Sequence, residues 1–546
     1  MSSKESSVDP LQTVSTEHGS SPAAPHPGVP EMPRWNVDEL PPAPVFRWNM
    51  LFAFLGPGLL MGGSAIGGGE WLTGPIVTNK YGGSLLWLAT LSILCQVVYN
   101  IEICRYTLYT GEPIFTGKFR TLPGPMFWLA TYFILDFGTA FPYLAASCAT
   151  PVASLWLGEI PNPSANPAHE SLLRGLGAAI FLTCMLPLIF GGKIYSALKV
   201  VMTVKIFTVM GFLLFLAFFY SHAPTWVEIG TGFLKFGTVP IDNKAGTCAN
   251  LFVELWNGRP LPTIDLGMMA FLSTLVAISG NGGLSNTPMS NYTRDQGWGM
   301  GKHVGAIPSL VGGHNIELSH VGTVFLVTPE SLVRWKAWYR HVARDQLMLW
   351  MPACFFGLAL PSMLSVEFLA RNSVGDNKWV AAGMTAGAVR DRVGGGLGEF
   401  CFFMTLFCGF LVLFPTCCST IDGYVRRWVD AIWTSSAHMR KLDPSAIRYV
   451  YFGVLMCYAM FGLVMLLLVK EPTLLMNIAS NFYNIAFGAS CWHVVIVNTT
   501  LLPKPLRPHW SIRAWLIAAG VFFWVVAYFS SIKIYADLAK WWAGAA

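Results

Sequence analysis

Gly56-Pro57-Gly58-Leu59-Leu60-Met61-Gly62-Gly63-Ser64-Ala65-Ile66-Gly67-Gly68-Gly69-Glu70 is the stretch whose reading decides the fold. Three consecutive glycines, Gly67 to Gly69, interrupt an apolar run, and each costs a helix about 1 kcal/mol relative to alanine. A carboxylate follows at once, and an ionisable group at membrane depth is expensive and marks function. We read an unwound segment joining two half-helices. A bilayer tolerates such backbone only where it lines a cavity or is buried in protein. The plainer alternative is a continuous helix that uses its glycines for close packing.

The bilayer is the solvent this composition demands. The 546 residues are 53% hydrophobic and only 12% charged, with a mean hydropathy of +0.50. A soluble domain carries about 25% charge. The net charge of +6 is small, and nothing points to nucleic acid. Of the twelve cysteines, only Cys248 falls in a long loop, and no metal-type spacing occurs, so they read as small buried apolar groups. Residues 1–46 are polar and rich in Ser and Pro, with no apolar signal-peptide core. They read as a disordered cytoplasmic tail ahead of a transmembrane domain, 47–546.

A spanning helix needs about 20 mostly apolar residues. Eleven such segments are expected, at roughly 50–78, 83–109, 124–157, 172–190, 195–220, 265–297, 346–365, 398–421, 447–469, 472–498 and 512–535. Lys and Arg concentrate in one set of loops, with Arg105, Lys118, Lys193, Arg294, Arg334, Arg340, Arg426, Arg440 and Arg507 among them. This places the N-terminus in the cytoplasm and the C-terminus outside, with the cell (inner) membrane as the expected location. Residues 221–264 then form an extracytoplasmic loop and 298–345 a cytoplasmic one. The basic amphipathic run from Arg334 to Arg344 is expected on the anionic inner leaflet.

The sixth segment repeats the interruption: Ala277-Ile278-Ser279-Gly280-Asn281-Gly282-Gly283-Leu284-Ser285-Asn286-Thr287-Pro288. Two correspondingly placed breaks, five helices apart, are the mark of an inverted-repeat transporter with its site at mid-bilayer. The expected fold is an all-α polytopic membrane protein with two inverted five-helix repeats, broken in the first and sixth helices.

These residues resemble the natural resistance-associated macrophage protein (Nramp) family of divalent metal transporters. The Gly-Pro opening of the first span fits, as do Arg105-Tyr106-Thr107-Leu108-Tyr109-Thr110-Gly111 and Gly138-Thr139-Ala140. The resemblance covers most of the chain. It implies a leucine-transporter-like fold of the amino acid–polyamine–cation superfamily, with a divalent cation as cargo and no cofactor. The family's first helix carries Asp-Pro-Gly-Asn, whose Asp and Asn ligate the metal; here Gly67 stands at the Asp and Glu70 at the Asn. The family's sixth helix carries Met-Pro-His; here Gly280-Asn281-Gly282 occupies that place. With neither thioether nor imidazole there, the site reads as all oxygen. It would comprise Glu70 and Asn281 as metal ligands, the backbone of Gly67, Gly68, Gly69, Gly280, Gly282 and Gly283, and the amides of Asn286 and Asn481. Oxygen ligands suit hard cations such as Mg²⁺, Ca²⁺ or Mn²⁺.

Other polar groups lie at depth. Asn477, Asn481 and Asn484 share one face of the tenth span, facing either the permeation path or neighbouring helices. Asp136 reads as a proton or cation relay, or as a hydrogen-bonded carboxyl. Glu102 and Arg105 read as a local ion pair, and Lys205 as a side chain snorkelling to the cytoplasm. Asp422, Arg426 and Arg427 read as topology and packing at the inner end of the eighth span, and His493 as no ligand.

The functional expectation is a secondary active transporter importing a divalent cation, with protons as a coupling ion. An amino acid or other small organic solute as cargo, or a membrane sensor without transport, are the rivals. No P-loop, HExxH or GxSxG motif is present, which argues against an enzyme and against an ATP-driven pump.

Overall fold

The computed structural model describes residues 27–45, 57–163, 165–190, 194–242, 244–305, 321–373, 383–436, 438–443, 446–469 and 472–542. Residues 1–26, Gly56 and Lys193 therefore lie outside the described residues. A short strand β1 (Asn36–Val37) precedes the first span, which is broken into α1 (Pro57–Ala65) and α2 (Gly74–Tyr81). The second span is α3 (Trp87–Thr110), followed by α4 (Ile114–Phe119). The third, α5 (Pro125–Leu135) and α6 (Tyr143–Leu157), bends through a 3-10 turn at Asp136–Ala140. Next come α7 (Pro167–Thr183) with α8 (Leu186–Phe190), then α9 (Ile194–Tyr220). The 221–264 loop holds α10 (Ala223–Gly232), the hairpin β2 (Thr238–Asp242) and β3 (Thr247–Asn250), and α11 (Leu251–Trp256). The sixth span is again broken, into α12 (Met269–Ile278) and α13 (Pro288–Asp295). Strand β4 (Thr323–Val324) and α14 (Pro329–Asp345) lead into α15 (Met351–Phe368), then α16 (Met384–Val393) and α17 (Gly395–Ser435). The last three helices are α18 (Ile447–Leu468), α19 (Pro472–Thr500) and α20 (Trp510–Trp542).

The chain is an all-α polytopic membrane protein. Among the described residues, eight helices are long and apolar enough to cross a bilayer. The three other expected spans are the two broken helices, whose halves are each too short, and α19, which carries Asn477, Asn481, Asn484 and Asn498. Phe218, Phe219, Met460, Leu467 and Tyr528 are all more than 60% exposed, an apolar skin that suits a lipid surrounding. Helix α3 sits centrally, whereas α18 lies at the rim with most of its apolar stretch uncovered.

Two expectations are corrected. Residues 27–45 are packed, not a free tail: β1 pairs in parallel with β4, and Val29, Met32, Trp35 and Leu40 are buried. The Trp35 ring lies 4.8 Å from the Arg120 guanidinium, and Arg120 donates to Pro33 O at 2.7 Å. A few apolar residues among prolines suffice to dock a segment whose average composition is polar. Helix α14 turns its apolar side to the protein, not to lipid. Trp335, Trp338, His341 and Val342 are buried, and Arg105 stacks on Tyr339 at 4.3 Å. Its start is fixed by a capping box between Thr328 and Ser331.

Candidate functional site

The two glycine runs meet. In the first span the helix opens at Ile66 and Gly67 and resumes as a π turn over Gly69–Thr73. π turns inside α-helices are rare and concentrate at functional sites. In the second break, Gly280 (φ +106°), Gly282 (+73°) and Gly283 (+53°) carry the chain through conformations that side chains resist. Gly69 lies against the Ile278 carbonyl so closely that any Cβ would overlap it. The breaks therefore touch backbone to backbone.

Glu70 ties them together. It is fully buried; its Oε2 accepts the Gly67 N–H at 3.0 Å and its Oε1 accepts the Gly280 N–H at 3.0 Å. Gln96 of α3 supports the second break from behind. Its Oε1 accepts from Asn281 N (3.2 Å), Gly282 N (3.3 Å) and Asn286 Nδ2 (3.0 Å), while its Nε2 donates to Ser279 O at 2.8 Å. Gln96 was missed in the sequence, although an amide four residues after Ser92 at mid-span was a signal.

Between the breaks lies a narrow cleft of about 30 Å³. Gly67 and Gly68 line it from one side and Gly280 and Asn281 from the other, with Met61, Ser64, Ser285, Tyr143, Tyr483 and Thr416 completing the wall. Glu70, Gly69, Gly282, Gly283 and Asn286 stand behind this lining. Asn281 Oδ1 is buried with no hydrogen-bond partner, and Asn281 Nδ2 lies 3.5 Å from Met61 Sδ. This revises the all-oxygen expectation: a thioether does reach the site, from the first span instead of the sixth.

Three further placements are corrections. Asn481 does not join the cleft; its Nδ2 donates to Ser531 Oγ of α20 at 2.8 Å. Its neighbours Asn477 and Asn484 bond to Thr274 and Ser273 of α12. Arg427 lines the cleft, well inside the protein, because α17 runs on to Ser435. Its Nη2 lies 2.6 Å from Asp136 Oδ2, its Nε 2.8 Å from the same oxygen, and its Nη1 donates to Leu284 O at 2.9 Å. Thr139 and Trp428 also donate to Asp136. Asp136 thus sits in a saturated ion pair that braces the third and eighth spans against the second break. Lys205 does not snorkel: it is fully buried and donates to Val412 O and Thr416 Oγ1. Among the described residues no three His, Cys, Asp or Glu side chains cluster as a metal cage.

No protein-family model and no curated protein matches the chain. Solved structures do. A histidine-to-alanine variant of the Eremococcus coleocola manganese transporter is similar over 93% of this chain and 91% of that one, with a TM-score of 0.59 at 13% identity. The same transporter bound to an aromatic bis-isothiourea substituted compound gives 0.57, and a glutamate-to-alanine variant 0.58, over the same shares at the same identity. This chain has the fold of a transporter. That fold is leucine-transporter-like, with its broken first and sixth helices meeting in the core.

Proposed function

We propose that the chain is a divergent relative of the Nramp family, a secondary active transporter that moves a divalent transition-metal cation by alternating access. The observation that carries this reading is the orphaned Asn281 Oδ1 at the cleft, beside the Met61 thioether. A buried acceptor without a donor is costly, and a cation relieves it. An amide oxygen with a thioether favours softer cations of the Mn²⁺ and Fe²⁺ kind over Mg²⁺ or Ca²⁺. Carbonyls of the unwound segments complete the shell, and Glu70, one turn behind, supplies negative charge. A proton gradient is the proposed driving force, and the cell membrane with a cytoplasmic N-terminus the proposed setting.

The test is uptake into proteoliposomes holding a metal-quenched dye. Wild type is expected to take up Mn²⁺ faster when the outside is acidic. Asn281→Ala should lose at least tenfold, and Met61→Leu should lose Cd²⁺ preferentially. Wild-type uptake no greater than that of empty vesicles contradicts the proposal.

A second reading has one observation in its favour. Arg427 on the cleft wall, with Tyr143 and Tyr483, would suit the carboxylate of an amino acid. All three guanidinium nitrogens of Arg427 are already engaged by Asp136 and Leu284 O, so the cation reading stands ahead.

A further inference from the structure

The loop between the fifth and sixth spans carries an apolar surface that the cleft does not use. The chain leaves α9 at Tyr220 and re-enters the bundle as α12 at Met269. Helix α10 follows α9 after Ser221 and His222 alone, so it lies at the end of the bundle. Thr225, Ile229 and Gly232 are its buried side, while Trp226 and Val227 are exposed. The Trp226 ring lies 5.4 Å from that of Phe218, which belongs to the apolar skin of α9. The buried side of α10 grips the first span. Gly232 lies against the Gly83 carbonyl so closely that a Cβ would overlap it. Glu228 accepts from Gly83 N at 3.2 Å and from Arg371 Nη2 at 2.6 Å. Gly83 belongs to the turn that follows α2.

The hairpin then holds α11 at the same end. Trp87, the first residue of α3, donates to Thr238 O at 2.9 Å, and its ring lies 5.9 Å from that of Phe236. Gly237 abuts the Phe252 ring, and the Asn250 side chain caps α11 by accepting from Phe252 N and Val253 N. No residue of α11 is buried, and Trp256 is 92% exposed. At about 100° per residue, Phe252, Val253, Leu255 and Trp256 fill an arc of about 160°, and Glu254 falls opposite it. Glu254 pairs with Arg259 at 3.6 Å. Aromatic and aliphatic side chains on one arc, with the charge on the other, are the composition of a helix lying in a membrane interface.

We propose that α10 and α11 form an interfacial anchor seated in the lipid leaflet at this end of the bundle, and that it ties the end of α2 to that leaflet. Lipid is the occupant because this surface continues the lipid-facing one through Phe218 and Trp226. The arc also offers no polar group except the Trp256 indole N–H, which headgroup oxygens accept. The inference does not rest on the cargo.

The experiment attaches a nitroxide at Trp256→Cys in full-length protein carrying Cys248→Ser and Cys457→Ser, since the other cysteines are buried. In phosphatidylcholine proteoliposomes, collision with dissolved oxygen reports lipid, and collision with a water-soluble nickel chelate reports water. Phe218→Cys serves as the lipid reference and Lys244→Cys, on the exposed hairpin turn, as the water reference. The oxygen-to-nickel ratio at Trp256→Cys is expected to be several-fold above that at Lys244→Cys and close to that at Phe218→Cys. A ratio equal to that at Lys244→Cys contradicts the proposal. So does a site closed to both reagents: with spin–spin broadening it marks a second copy on this face, and without it another protein surface. Val253→Cys, on the same arc, gives the same reading if Trp256→Cys cannot be reconstituted. The readout needs no transport, so failure of Mn²⁺ uptake leaves it untouched.

Discussion

The Glu70 carboxylate and the Gly280 amide, 210 residues apart, meet at 3.0 Å, while the other carboxylate oxygen holds the Gly67 N–H. One side chain thus fastens the two opened helices to each other. Both of its oxygens are engaged by backbone donors, so the side chain stands behind the cleft and not in it.

Glu70→Ala removes the acceptor for two buried N–H groups, at a cost of about 1–3 kcal/mol each. A large drop in melting temperature is expected. Glu70→Gln keeps one acceptor oxygen and should fold nearly as well, yet lose Mn²⁺ uptake because the negative charge is gone. Full uptake by Glu70→Gln would remove the charge from the account.

Gly69→Ala should disrupt the protein, since its Cβ would overlap the Ile278 carbonyl. Gly453 of α18 has open space where a Cβ would go, so Gly453→Ala should be neutral or stabilise by about 0.4–1 kcal/mol. Melting temperatures of the two variants check the contrast. Equal tolerance at both positions would mean that the breaks are not in backbone contact.

Asp136 and Arg427 should behave as a pair. Removing either partner leaves a buried uncompensated charge, worth about 3–5 kcal/mol. Asp136→Asn with Arg427→Gln should be more stable than either single variant, giving a positive coupling in a double-mutant cycle. Additive losses would contradict the brace and leave a separate role for Asp136.

Cys248, on β3 of the 221–264 loop, reports topology. Burial pushes its thiol up to about 11, so little thiolate exists at neutral pH. Labelling of intact cells by a membrane-impermeant maleimide is expected to be slow at neutral pH and to rise about tenfold per unit toward pH 9. Labelling that requires permeabilised cells would contradict an external position for this loop.

Both breaks were legible in the sequence because runs of three glycines at mid-span have few other uses. Met61 was not, since it reads as one more apolar residue of α1 until the helix is seen to turn it toward Asn281. Gln96 was hidden in an otherwise regular helix; its role depends on which side of α3 faces the second break. Arg427 was placed at the membrane edge because the apolar run of the eighth span stops near residue 421, whereas α17 continues to Ser435 on ion pairs such as Arg426–Asp422 at 2.8 Å. Asn481 exposes the limit of a helical-face argument. A spacing of four turns it about 40° from Asn477, enough for one amide to meet α20 while the other meets α12. Glu102 and Arg105 pair at 2.8 Å, as a spacing of three requires.

The central claim is that a metal cation binds between the helix breaks, and anomalous X-ray scattering from crystals soaked in Mn²⁺ tests it most directly. A single peak within coordination distance of Asn281 Oδ1, lost in Asn281→Ala, is the result predicted. A cleft without a peak, or a peak confined to surface carboxylates, would contradict it.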